Sequence, residues 1–317
     1  MKDSLIPAVS LYSNVAIEIM EQVIHLKKVS AYNALKKTET LHPLVSVIDN
    51  INQIPLPNGK YRFDFYAVFL KETACGELSY GRKKYDYEEG TLVFIGPGQL
   101  IGVSHDENYK FHKGLTLVFD PDLIHGTSLG QNINKYHFFS YELNEALHIS
   151  QKEKQIVYDL YDKIQFELSR PIDKHSKKLI NRNIELLLDY CERFYDRQFI
   201  TREQHNLGTL EQFDGQLNSY FDSDKPQIEG LPSVAYFADK LHLSANYFGD
   251  LIKKETGKTA QEYIHIKVMN IAKDRILDVS KPVSEIAYEL GFKYPQHFTR
   301  MFKKGVGISP SAYRNLN

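Results

Sequence analysis

Between residues 234 and 313 the chain carries one motif twice. The first copy runs Val234-Ala235-Tyr236-Phe237-Ala238-Asp239-Lys240-Leu241-His242-Leu243-Ser244, then Tyr247-Phe248, Leu251-Ile252-Lys253-Lys254, Gly257 and Tyr263. The second runs Val283-Ser284-Glu285-Ile286-Ala287-Tyr288-Glu289-Leu290-Gly291-Phe292, then His297-Phe298, Met301-Phe302-Lys303-Lys304, Gly307 and Tyr313. From Val234 to Val283 the offset is 49 and from Phe248 to Phe298 it is 50, so the second turn holds one extra residue. Apolar positions at helical spacing on either side of a short break make each copy a helix, a turn and a helix. Ala238 sits where the two helices cross, a place that a larger side chain would force open. The turn position is His242 in one copy and Gly291 in the other. A turn that needs positive φ favours glycine, so His242 is expected to carry strain.

Ser244 and Thr259 are natural N-caps, Thr259-Ala260-Gln261-Glu262 has the capping-box pattern, and Ser309-Pro310 is a cap followed by proline at the first helical position. Between the copies, Ile264, Val268, Ile271, Ala272 and Ile276 recur at helical spacing from Thr259 to about residue 279. Some twenty helical residues span about 30 Å, close to one turn of B-DNA at about 34 Å. A connector of that length would set the two second helices into successive major grooves of one duplex.

On this reading Phe248, Leu251 and Ile252 are the buried face of the first reading helix, and Asn246, Asp250 and Lys253 its outer face. Phe298, Met301 and Phe302 are buried in the second, leaving Gln296, Thr299, Arg300 and Lys303 outward. Glutamine pairs with adenine and arginine with guanine in the major groove. Lys254, Lys258, Lys293 and Lys304 suit phosphates, which give affinity and salt dependence with little specificity. Charge agrees modestly: from residue 231 on there are 13 Lys+Arg against 8 Asp+Glu, leaving 26 against 32 in the rest, so a basic module is joined to an acidic remainder.

The signature from Val283 to Phe292, with Gln296-His297-Phe298-Thr299-Arg300-Met301-Phe302-Lys303-Lys304, Gly307, Ser309-Pro310-Ser311 and Tyr313-Arg314, resembles the AraC/XylS family of transcriptional regulators over roughly the last ninety residues. The resemblance implies seven helices, two of them reading helices, sequence-specific promoter binding, RNA polymerase as a partner, and activation more often than repression. Many relatives place arginine where Asp250 stands. An acidic residue there is poorly suited to phosphates but can accept a hydrogen bond from cytosine N4.

Upstream, residues 61–140 hold short aromatic and β-branched runs separated by turn signals at Glu89-Gly90, Gly96-Pro97-Gly98 and Asp120-Pro121-Asp122. They predict a β sensor domain over 61–150, resembling a cupin-like barrel. Residues 1–60, with Pro43, Pro55 and Pro57, read as an extended arm apart from a short amphipathic helix from Ile17 to Leu26. Residues 151–198 turn helical, with stripes Ile156, Leu160, Ile164, Leu168 and Ile180, Ile184, Leu187, Leu188, Cys191, Phe194, broken at Arg170-Pro171. This pair is the expected dimerisation segment of a homodimer. Residues 199–230 are polar and read as a linker to the DNA-binding domain at 231–317. The expected architecture is therefore two domains: a mainly β cupin-like barrel followed by a helical pair, then an all-α double helix-turn-helix.

Metal-binding cupins use a His-x-His pair, a glutamate and a later histidine. No His-x-His occurs in this chain, and residues 81–90 occupy the approximate place without histidine. No metal and no cofactor are expected. Nor is there a P-loop, a Gly-x-Ser-x-Gly elbow or a Cys-His nucleophile pattern, so an enzyme is not expected. Arg62, Tyr66 and His105 are the guesses for contacts to a small-molecule effector. Cys75 and Cys191 make no disulfide framework, and no apolar run reaches membrane-spanning length, which fits a cytoplasmic protein without a membrane partner. Two other readings stand beside the regulator: a cupin-type enzyme with a DNA-binding tail, and an interaction scaffold whose helical repeat binds protein.

Overall fold

The computed structural model describes residues 23–52, 54–72, 90–103, 113–142, 145–201 and 203–316. The chain divides into two compact units, Met1–Gln198 and Phe199–Asn317.

The first unit begins with β1 (Val23–Leu26), α1 (Val29–Leu35), β2 (Val45–Asp49), β3 (Gly59–Phe63), β4 (Tyr66–Lys71), β5 (Gly90–Ile95), β6 (Leu100–Val103) and β7 (Gly114–Phe119). Two short helices follow, α2 (Pro121–Ile124) and α3 (Ser128–Asn132), then β8 (Leu147–Ile149), α4 (Gln151–Leu168) and α5 (Ser176–Thr201). The strands form two sheets, β1-β3-β6 and β2-β7-β4-β5-β8. Among the described residues every ladder is antiparallel except β1 on β3. Between the sheets, Tyr61, Phe63 and Phe65 pack with Ala67, Val93, Ile95 and Val118 and with Tyr32 of α1. Among the described residues no ladder joins the two sheets, so the expected β domain is present as an open pair of sheets and not as a closed barrel.

All six residues of β7 are buried, because both faces of the larger sheet are covered. Its outer face lies under the helical pair: the Tyr161 hydroxyl of α4 donates to the Val68 carbonyl at 3.0 Å. The α4 stripe is Val157, Leu160, Tyr161, Ile164 and Leu168, with a Ser150–Glu153 capping box fixing its start.

Two expectations for the first 230 residues are corrected. The arm expected over residues 1–60 is, from residue 23 on, part of the β unit. Val23–Leu26 is a strand and not the end of an amphipathic helix, since pairing along β3 satisfies its backbone and buries Leu26; residues 17–22 lie outside the described residues. The linker expected over 199–230 is mostly helix: α6 (Glu203–Phe221) and α7 (Lys225–Glu229). Phe213, Leu217, Tyr220 and Phe221 of α6 are buried. The Phe213 ring stands edge-on to Phe237 and Phe248, each at 5.0 Å, and 5.5 Å from Tyr263. A helix so buried is a wall of the second unit.

The remaining elements are α8 (Val234–Lys240), α9 (Ala245–Thr256), α10 (Ala260–Ile276), α11 (Val283–Glu289), α12 (Pro295–Val306) and α13 (Pro310–Leu316). With α6 and α7 the second unit has eight helices among the described residues, against the seven implied by the resemblance. The connector α10 is shorter than expected. Its 17 residues span about 26 Å, because the chain turns at Leu277 and Asp278.

Candidate nucleic-acid interface

The duplication extends to single hydrogen bonds. In the first turn Leu241 N donates to Phe237 O at 3.0 Å, His242 N to Asp239 O at 3.0 Å and Leu243 N to Ala238 O at 2.9 Å. In the second, Leu290 N donates to Ile286 O, Gly291 N to Tyr288 O and Phe292 N to Ala287 O, at 3.0, 2.9 and 2.9 Å. These are the bonds that close a helix through a left-handed residue. That residue is His242 with φ 56° and Gly291 with φ 89°. Ala238 and Ala287 are both fully buried at the crossing. After the turns, Phe248 and Ile252 of α9 match Phe298 and Phe302 of α12, all at 0% exposure. Both reading helices end alike: Gly257 N donates to Lys253 O and Gly307 N to Lys303 O, each at 2.9 Å, with both glycines left-handed.

The copies differ at the entrance to the reading helix. Ser244 caps α9, its hydroxyl accepting from Tyr247 N at 3.2 Å. Tyr294 stands in that place before α12 and gives no side-chain cap.

Of the expected contact residues, all but one are exposed to solvent. Asn246, Lys253, Lys254 and Lys258 are exposed, as are Lys293, Gln296, Thr299, Arg300, Lys303 and Lys304; Asp250 is half-buried. Met301, expected in the core, is half-buried, because Phe298 and Phe302 already fill the seam. The Thr299 hydroxyl donates to Pro295 O at 3.0 Å, which leaves its oxygen free to accept. Burial, then the nearby Lys304 ammonium, holds the His265 imidazole of α10 below its usual range.

The sequence reading missed the fastening of the second copy to the connector. Arg314 of α13 donates through Nε to Ile276 O at 2.7 Å, and through Nη2 to Asp278 O at 3.2 Å and Lys281 O at 3.0 Å. One guanidinium thus satisfies carbonyls at and just beyond the C-terminal end of α10. A basic residue in the last turn of the signature was the available signal. At the other end, the Tyr263 hydroxyl donates to Asp214 of α6 at 3.0 Å.

Of the guesses for an effector site, Arg62 and Tyr66 face different ways. Tyr66 stacks on Phe119 and meets Phe139 edge-on, both at 4.9 Å, on the helix-covered face of the larger sheet. Arg62 is exposed between the buried Tyr61 and Phe63, so it points away from the aromatic core. His105 and residues 81–89 lie outside the described residues. Among the described residues no group of three His, Cys, Asp or Glu is placed to hold a metal ion, and no helix is long and apolar enough to cross a membrane.

Two helix-turn-helix copies on one connector define the second unit as a double helix-turn-helix domain. Residues 237–316 match a family described as a helix-turn-helix domain, and this unit is a helix-turn-helix domain of the AraC type. Over 88 residues the chain is 34% identical to an uncharacterized HTH-type transcriptional regulator, YtdP, of Bacillus subtilis strain 168, a match covering 28% of this chain and 11% of that one. It is 22% identical over 278 residues to the HTH-type transcriptional activator RhaS of Enterobacter sp. strain 638, covering 86% of this chain and 92% of the relative. Of solved structures, the C-terminal domain of the response regulator yesN from Fusobacterium nucleatum aligns with 34% of this chain and 98% of its own. Its identity is 27% and its TM-score 0.30.

Proposed function

We propose that the chain is a transcriptional regulator that binds double-stranded DNA sequence-specifically through α9 and α12. The observation that carries this is the repeated turn geometry, each copy delivering a helix with an apolar inner face and a polar, exposed outer face. Gln296, Thr299, Arg300 and Lys303 read bases in the second copy, and Asn246, Asp250 and Lys253 in the first. Lys254, Lys258, Lys293 and Lys304 meet phosphates. A small molecule or partner at the N-terminal β unit controls this binding, and the chain, a cytoplasmic protein, acts as an activator with RNA polymerase as its partner. These finer assignments rest on the family resemblance.

Selection from a random duplex pool tests the reading. We expect a recurrent sequence, with affinity falling steeply as salt rises. Binding of no duplex at low ionic strength would sink it. Arg300→Ala should lose about 1–3 kcal/mol of preference at one base pair, whereas Lys304→Ala should weaken all duplexes alike and lower the salt slope by about one. Equal loss for Arg300→Ala on matched and mismatched duplexes contradicts the assignment.

The same proposal makes the chain a homodimer through its helical pair. Support comes from α5, which exposes Leu179 at 44% and Leu186 at 43%, one heptad apart, with Asn183 between them and Tyr190 one turn on. Leucines at that spacing around one asparagine form a coiled-coil seam. In analytical ultracentrifugation Leu186→Glu should turn a dimer into a monomer; a wild-type chain that is monomeric at tens of micromolar ends this reading.

A further inference from the structure

At the entrance to α12 the second copy gives up a helix cap that the first copy keeps. In the first copy the Ser244 hydroxyl accepts from the Tyr247 amide; in the second the matching His297 amide turns to the Tyr294 carbonyl at 3.0 Å, and Pro295 opens the helix. In the place of Ser244 stands Tyr294, with 48% of its surface exposed. The ring is braced from two sides. His297 meets it edge-on at 5.5 Å, and the Lys293 ammonium lies 5.8 Å from its centroid. Lys293 sits in the second turn, which holds the one residue the first lacks, and His297 matches Tyr247, which is buried in the first copy. The second copy has thus turned two rings and a cation outward, beside the outward-facing Gln296 and Arg300. The bracing holds these groups on the exposed side of the helix entrance, where Tyr294 and His297 both face solvent.

We propose that Tyr294 is a specificity-determining residue that lays its ring against a base edge in the major groove, next to the pairs faced by Gln296 and Arg300. This rests on the DNA-binding reading above. The N-terminal end of a recognition helix is the part that reaches base edges, and the apolar group presented there is the thymine methyl. An exposed ring held by His297 is preorganised for that contact, and Lys293 faces the neighbouring phosphate.

The test uses the full chain, a duplex selected by the wild type, and every single-pair change of that duplex. Tyr294→Ser restores the cap, so its melting midpoint should be no lower than that of the wild type. Its preference at one base pair should nevertheless fall about fivefold or more, with the other positions unchanged. Tyr294→Phe should keep that preference. An unchanged profile for Tyr294→Ser overturns the proposal, and so does a loss of preference with Tyr294→Phe as large as with Tyr294→Ser, which would mean that the hydroxyl and not the ring reads the base. A wild-type chain that selects no duplex refutes the DNA-binding reading itself and this proposal with it.

Discussion

Replacing Phe213 with alanine lowers the stability of the C-terminal unit by about 3–5 kcal/mol, the range for deleting a buried aromatic ring. The ring is fully buried and touches one ring from α8, one from α9 and one from α10, so its removal opens a cavity at the centre of the first copy. Those partners cannot collapse into it, because Phe237 and Phe248 are fixed by the turn between them. Against a domain stability of about 5–15 kcal/mol, such a loss moves the unfolding midpoint far enough to be plain in a urea titration. If residues 199–230 were only a linker, Phe213→Ala would leave the midpoint in place, and that result would refute the packing described.

The second large effect is at the turn of the other copy. Gly291→Ala should cost about 2–4 kcal/mol. Part of this is the left-handed backbone at φ 89°, about 1–2 kcal/mol for a residue with a Cβ. The rest is space. A Cβ on Gly291 would lie 2.7 Å from the carbonyl carbon of Gly230, 2.8 Å from its oxygen and 2.9 Å from Pro226 O. All three are backbone atoms of α7 and the glycine that follows it, and cannot swing aside as a side chain could. His242 occupies the equivalent place in the first copy, at φ 56°, and is exposed. There His242→Gly should stabilise slightly. Relief of about 1–2 kcal/mol exceeds the roughly 0.4–1 kcal/mol that glycine adds to the freedom of the unfolded chain. Opposite signs for the two exchanges, read as shifts in denaturant midpoint, are the expected outcome. Tolerance of Gly291→Ala would show that α7 does not crowd the turn.

Much of the second unit was legible because its information is local and repeated. The 49- and 50-residue offsets, the apolar pairs Phe248/Ile252 and Phe298/Phe302, the Thr259–Glu262 capping box and the strained His242 all follow from neighbours in sequence. The failures share one cause, which is that the deciding partner is distant. Nothing near Phe213 signals that its ring will meet residues 24, 35 and 50 positions away, and Gly208 and Gly215 lower the helical expectation for that stretch. Val23 and Ile24 fit a helix or a strand equally well until β3 supplies an edge. Tyr66 and Arg62 look adjacent in sequence, yet they lie on opposite sides of different sheets, because strand alternation and the corner between β3 and β4 set direction.

The single bond from Tyr161 to the Val68 carbonyl has a mechanical implication. It joins the middle of α4 to the middle of a sheet strand, and both residues are fully buried. A helix tethered this way cannot creep along the strands by small steps, since any slippage leaves a phenol and a carbonyl stranded in hydrocarbon. The sheet and the helical pair are therefore held in one register, and shifting it would break a buried bond.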